Sequence, residues 1–131
     1  MRDMAKKKVI AVDDEEVFLK MMKINLEATG QYEVEIMSDA TDLVSRAKTF
    51  QPDIILLDIL MPNVEGTTAC EMLKKDPATQ HVPVVALSAL ETDKDKRMMY
   101  KLGVADFFIK PIGTANLIAG IEKVLQKAHG N

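Results

Sequence analysis

Ile54-Ile55-Leu56-Leu57 is apolar at every position, so it does not fit a strand with one face in water. A strand of this kind needs cover on both sides, and helices packed on each face of a parallel sheet supply it. Val9-Ile10-Ala11-Val12 has the same character. Further strands are expected at Val34 to Met37, Val82 to Leu87 and Ala105 to Ile109.

Amphipathic stretches separate these runs. A first helix is expected from Glu15 to about Thr29, with Val17, Phe18, Met21, Ile24 and Ala28 recurring at helical spacing. Gly30 is its expected stop, because glycine enters the left-handed turn without strain. Ser38 or Asp39 is the expected cap of a second helix running to about Phe50. A third runs from about Gly66 to Lys75 and stops at Asp76-Pro77. Thr92 and Asp95 have capping-box spacing and open a charged helix that ends near Leu102-Gly103. Thr114 is the expected cap of a last helix, whose apolar stripe is Leu117, Ile118, Ile121, Val124, Leu125 and Ala128.

Strand and helix thus alternate through the chain, and the predicted fold is a doubly wound α/β sandwich. Its five-stranded parallel sheet is expected in the order 2-1-3-4-5, flavodoxin-like, with helices on both faces. The chain has 131 residues, which suits a single domain. The expected division is a tail over 1–6, the domain over 7–128 and a tail over 129–131.

Composition excludes several roles. The net charge is −3, and no basic run longer than Lys6-Lys7-Lys8 appears, so direct nucleic-acid binding is not expected. Met1 to Lys8 is basic, but only four apolar residues follow, too few for a signal-peptide core. No apolar run approaches the ~20 residues that span a bilayer. A cytoplasmic protein that does not enter a membrane is expected. Cys70 is the only cysteine and is read as a small packed residue. His81 and His129 are read as surface residues.

Open α/β sheets bind ligands beyond the carboxyl ends of their strands, where the strand order reverses. At that edge the first strand ends in Asp13-Asp14, the third in Asp58, the fourth in Ser88 and the fifth in Lys110. Each has an ordinary reading. Asp13 or Asp14 could cap the first helix, and Glu15 and Glu16 suit its positive end. Asp58 could cap a loop turn, Ser88 could be structural, and Lys110 could be a solvated loop lysine. Their joint occurrence favours a site.

Three carboxylates in one crevice repel. At ~4 Å and an effective dielectric of ~20, each pair costs about 4 kcal/mol. They must take up protons or recruit a cation. An all-oxygen set without His or Cys suits a hard ion such as Mg²⁺, which keeps several waters and often bridges to phosphate. With Lys110, such an ion would neutralise a transferring phosphoryl group, Ser88 could hydrogen-bond it, and Asp58 could attack it to give an aspartyl phosphate.

These residues carry a resemblance. Val12-Asp13-Asp14-Glu15, Leu57-Asp58-Ile59-Leu60-Met61-Pro62, Leu87-Ser88-Ala89 and Phe107-Phe108-Ile109-Lys110-Pro111 are similar to the motifs of response-regulator receiver domains, the stand-alone chemotaxis regulators among them. Asp76-Pro77-Ala78-Thr79 followed by Val82-Pro83-Val84 also resembles that family. The resemblance covers about residues 7–128.

The resemblance implies a signalling domain, not an enzyme acting on a separate substrate. Asp58 would accept a phosphoryl group from a phosphohistidine on a sensor histidine kinase or phosphotransfer protein. Asp14 and Asp58 would bind Mg²⁺ directly, Asp13 mainly through water, and the backbone carbonyl of Leu60 would complete the protein ligands. Lys110 would pair with the phosphoryl group, and its bond to Pro111 is expected to be cis. Ser88 would shift toward the phosphoryl oxygen and Phe107 would rotate inward behind it. A downstream protein would read the surface of the fourth helix, fifth strand and fifth helix, including Lys94, Lys96, Arg97 and Lys101. Those cations also fit a merely solvated helix face. Ser88 stands where the family more often has threonine, and Phe107 where it often has tyrosine.

Two enzyme or carrier readings compete. A Mg²⁺-dependent phosphohydrolase would use Asp58 as nucleophile, but Ile59 and Leu60 offer no general acid and the chain has no room for a cap. A flavin carrier would need a glycine- and hydroxyl-rich loop after the first strand, where Asp13-Asp14-Glu15-Glu16 would repel phosphate. A degenerate receiver used only for docking would not need the full acidic set. The chain ends a few residues beyond the last helix, which fits a stand-alone regulator or a piece of a longer protein.

Overall fold

The strands β1 (Lys7–Val12), β2 (Tyr32–Met37), β3 (Ile54–Asp58), β4 (Val84–Ser88) and β5 (Asp106–Ile109) form one parallel sheet in the order β2-β1-β3-β4-β5, as predicted. The computed structural model describes residues 5–59, 66–89 and 92–128. Five helices connect and follow the strands: α1 (Glu16–Glu27), α2 (Leu43–Phe50), α3 (Gly66–Lys75), α4 (Asp93–Lys101) and α5 (Thr114–Ala128).

The two-sided apolar strands feed two separate cores, because successive side chains of a strand point to opposite faces. Val9, Ala11, Ile54 and Leu56 pack with Leu19, Met22 and Leu26 of α1 and Leu117, Ile121 and Leu125 of α5. Ile10, Val12, Ile55 and Leu57 pack on the other face with Leu43, Ala47 and Phe50 of α2 and Cys70 and Leu73 of α3. Cys70 is buried, as expected of a packed thiol. His81 is exposed as expected, and His129 lies outside the described residues.

The apolar face of α1 is not the one predicted. Leu19, Met22 and Leu26 are buried, whereas Val17, Met21 and Ile24 are 77%, 52% and 61% exposed. Ala28 is exposed too, and Phe18 is half-buried. Both sets have helical spacing, so periodicity alone cannot choose between them. Side-chain anchors accompany the observed choice. Glu27 accepts the Val34 backbone N–H at 3.0 Å, and Lys23 donates to the Val34 carbonyl at 2.6 Å. These bonds fix α1 against edge strand β2.

Two helix starts also differ. Neither Ser38 nor Asp39 caps α2: Asp39 accepts the Thr41 N–H at 2.9 Å in a local turn, and the helix begins at Leu43. Short polar side chains offer the backbone this alternative to helix. Thr114 is the first residue of α5 rather than a cap outside it, and its hydroxyl accepts a hydrogen bond from Asn25 of α1 at 3.1 Å. Ahead of α4 the Thr92 carbonyl accepts from Lys96 N–H, while the Asp95 side chain of the predicted capping box lies outside the described residues. Gly30 follows α1 with φ +78°, as a glycine stop requires.

The turn after α3 is tied by its own side chains. Asp76 accepts the Ala78 N–H at 2.9 Å and pairs with Lys48 at 2.8 Å, and buried Thr79 donates to the Leu73 carbonyl at 2.7 Å. The braced turn leads into β4, which begins at Val84 and ends at Ser88.

Candidate functional site

The register of the sheet brings the strand ends together. Val12 pairs with Leu57, Asp58 with Leu87, and Ser88 with Ile109. Asp13, Asp58, Ser88 and Lys110 therefore occupy neighbouring ends of four strands at the carboxyl edge of the sheet.

Asp13 has no exposed surface. Its Oδ1 accepts the Glu15 N–H at 2.9 Å, which turns the chain out of β1 toward α1. Its Oδ2 accepts from Lys110 Nζ at 2.8 Å. The residue preceding α1 is Glu15, which makes no side-chain cap bond, so neither Asp13 nor Asp14 is the helix cap. Asp14 is exposed, and Asp58 is buried at the end of β3. Among the described residues, Asp13, Asp14 and Asp58 each present a carboxylate oxygen within 4.8 Å of the others.

Lys110 faces this acidic set from β5, with Nζ 3.8 Å from Asp58 Oδ2. Burial by itself would push its ammonium down. Hydrogen bonds to Asp13 and Glu15 and the nearby charge of Asp58 outweigh that and hold it above the ordinary lysine range. The Lys110–Pro111 peptide bond is cis, as the resemblance implied. The Lys110 N–H donates to the Ser88 carbonyl at 2.8 Å, fixing the two strand ends to each other.

Ser88 is buried. Phe107 is half-buried and makes its ring contacts with α4: the Tyr100 ring meets it edge-on at 5.8 Å, and Lys96 Nζ lies 5.8 Å from its centroid. Leu60 lies outside the described residues.

Two neighbours were not assigned to the site by sequence. Glu15 accepts a hydrogen bond from Lys110, and the Phe18 ring lies 5.1 Å below the same ammonium. Glu15 directly follows the Asp13-Asp14 pair, which was a usable signal. Phe18 carried none beyond its place one turn into α1.

The donor set fits a hard divalent cation. An octahedral ion with bonds of ~2.1 Å spans oxygens up to ~4.2 Å apart, so a small closure or an intervening water adapts these carboxylates to it. The electrostatics set one ammonium against a cluster of carboxylates that could hold a cation.

Residues 9–122 match the response regulator receiver domain family. The chain is 37% identical over 117 residues to the response regulator PleD of Caulobacter vibrioides, covering 89% of this chain and 26% of that protein. It is 31% identical over 122 residues to the alkaline phosphatase synthesis transcriptional regulatory protein PhoP of Bacillus subtilis, covering 93% of this chain and 50% of that one. It therefore spans a quarter to a half of these curated relatives. Among solved structures it is similar to the chemotaxis protein CheY4 of Vibrio cholerae, with TM-score 0.86 and 25% identity over 92% of this chain and 99% of that one. A response regulator from Desulfuromonas acetoxidans matches with TM-score 0.81 and 28% identity, covering 92% of this chain and 97% of that one. The chain belongs to the response regulator receiver domain family, the signalling domains of two-component systems.

Proposed function

We propose that Asp58 is the phosphoacceptor of this receiver, and that the unit over 7–128 takes its phosphoryl group from a phosphohistidine on a sensor histidine kinase or phosphotransfer protein in the cytoplasm. The observation that carries this reading is the Lys110 ammonium, held 2.8 Å from Asp13 and 3.8 Å from Asp58 at the ends of three strands.

In the reaction, an Asp58 carboxylate oxygen attacks phosphorus. The bond from phosphorus to the donor histidine nitrogen breaks, its electron pair stays on that nitrogen, and an acyl phosphate remains on Asp58. Both partners are anionic, so positioning and charge neutralisation do most of the work. Lys110, beside Asp58, would pair with a phosphoryl oxygen. Asp14, Asp58 and the Leu60 carbonyl would hold Mg²⁺ directly, with Asp13 acting through water. The bound ion supplies neutralisation of the phosphoryl oxygens. Ser88 would donate its hydroxyl to the phosphoryl group, and Phe107 would leave its place against α4 to follow it. That movement biases a two-state equilibrium, and a downstream protein would read it on α4, β5 and α5.

A protein donor suits the surface beside the site. Val17, Met21 and Ile24 form an exposed apolar stripe on α1, the helix that begins at the acidic crevice. No helix among the described residues is long and apolar enough to cross a membrane.

The test is intact mass after incubation with Mg²⁺ and a small phosphodonor. One acid-stable, base-labile phosphoryl adduct is expected, absent without Mg²⁺ and in Asp58→Asn. Steady hydrolysis of many phosphomonoesters would favour the phosphohydrolase reading instead.

A further inference from the structure

Helix α4 carries its cations on two different sides. Lys96 and Tyr100, four residues apart, face Phe107 of β5. Lys94, Arg97, Met98 and Lys101 follow the i, i+3, i+4, i+7 spacing of another face. That face lines a groove of about 480 Å³, with Leu102 and with Glu71 of α3. Three of the four cations expected on the surface shared with β5 and α5 therefore line a groove toward α3.

The groove has an apolar element and a charged rim. Met98 is partly exposed, and Leu102 packs onto the core beneath. The Cys70 thiol of α3 reaches the Leu102 carbonyl at 3.6 Å and joins the two helices at that end. Lys74 of α3 lies beside Gly103 at the same end. Lys7, Lys23, Arg46 and Lys48 are each paired with a carboxylate. Among the described residues no salt bridge neutralises Lys94, Arg97 or Lys101, and Glu71 is the only acid lining the groove.

We propose that the α3–α4 groove docks an acidic segment of a partner protein that also carries apolar side chains. Carboxylates would meet Lys94, Arg97 and Lys101, and an apolar side chain would cover Met98 and Leu102. Charge complementarity selects the acid, and the apolar lining selects protein over nucleic acid. A nucleic acid would find only three cations here, on a chain whose net charge is −3. The groove borders the α4 surface already assigned to a downstream protein, but the proposal does not rest on Asp58 chemistry.

The test uses the full chain and a fluorescent synthetic peptide of aspartates and glutamates with interspersed leucines. Its comparators are the amide counterpart, a version with serine for leucine, and a DNA duplex of equal charge. Anisotropy measures affinity, and amide chemical shifts locate the contact. Saturable, salt-sensitive binding is expected, with shifts clustered on α3 and α4. Arg97→Glu combined with Lys101→Glu should weaken it at least about fivefold, as loss of exposed ion pairs allows. All the substituted side chains are exposed, and Lys20→Glu or Lys127→Glu should leave affinity unchanged. Absent binding, shifts on another face, or equal affinity for any comparator overturns the proposal. So does a double charge reversal that binds as well as the native chain.

Discussion

Lys110 Nζ donates to Asp13 Oδ2 across 2.8 Å, and Asp13 has no exposed surface. The ammonium is thus the internal counter-ion of a buried carboxylate as well as the group poised toward Asp58. Lys110→Met removes both roles. It should destabilise the chain by about 3 kcal/mol, the cost of leaving a buried charge unpaired. Phosphorylation by a small donor should slow by at least about 100-fold, as for loss of a group that stabilises transition-state charge. Urea unfolding and adduct formation over time measure the two effects. Unchanged stability would mean that the pair contributes nothing.

Metal binding should show as stability. At ten times its Kd, Mg²⁺ should add about 1.4 kcal/mol. For a domain of this size that raises Tm by about 5 °C, and chelation should reverse it. Asp14→Asn should abolish most of the rise. Calorimetric scans with and without Mg²⁺ check this, and an equal rise in Asp14→Asn would move the ion elsewhere.

The two apolar faces of α1 give opposite expectations. Leu26→Ala empties a buried site and should cost about 2–5 kcal/mol. Ile24→Ala, only two residues away, should change stability by less than about 0.5 kcal/mol, because its side chain is 61% exposed. Denaturant midpoints for the two variants decide which face packs. Equal losses would contradict the assigned face.

Glu122 should contribute to the acid sensitivity of the fold. Buried Tyr32 donates its hydroxyl to this carboxylate, and Lys7 Nζ lies 2.6 Å from it. Burial would push the Glu122 carboxyl up, but these bonds together outweigh it and hold the carboxyl below its usual 4.5. Its contribution is therefore complete above pH 4.5 and is lost as pH falls through the folded-state value. Glu122→Gln should cost about 1–2 kcal/mol near neutral pH and flatten the acid limb of stability. An acid limb as steep as that of the native chain would assign the effect to other carboxylates.

Much of the fold was legible because its strongest signals are local. Ile54 to Leu57 demanded cover on two faces, and the known orders for such sheets left few choices. The reversal point of that order then located Asp13, Asp14, Asp58, Ser88 and Lys110. The face of α1 was not legible, since two stripes of equal helical spacing compete and tertiary contacts with β2 accompany the outcome. The start of α2 was missed because Asp39 closes a turn of its own. Glu15 and Phe18 joined Lys110 only through the sheet register, which joins residues about ninety positions apart. The division of the α4 cations likewise depends on where α3 and β5 lie, which helical spacing alone does not reveal.

The central claim is that the phosphoryl group resides on Asp58, and site mapping tests it most directly. Borohydride reduces an aspartyl phosphate to homoserine, so phosphorylated protein can be reduced, digested and sequenced by mass spectrometry. Homoserine is predicted at position 58 alone, and only in samples given both Mg²⁺ and phosphodonor. Homoserine at position 13 or 14, or none in a sample whose intact mass shows the adduct, would contradict it.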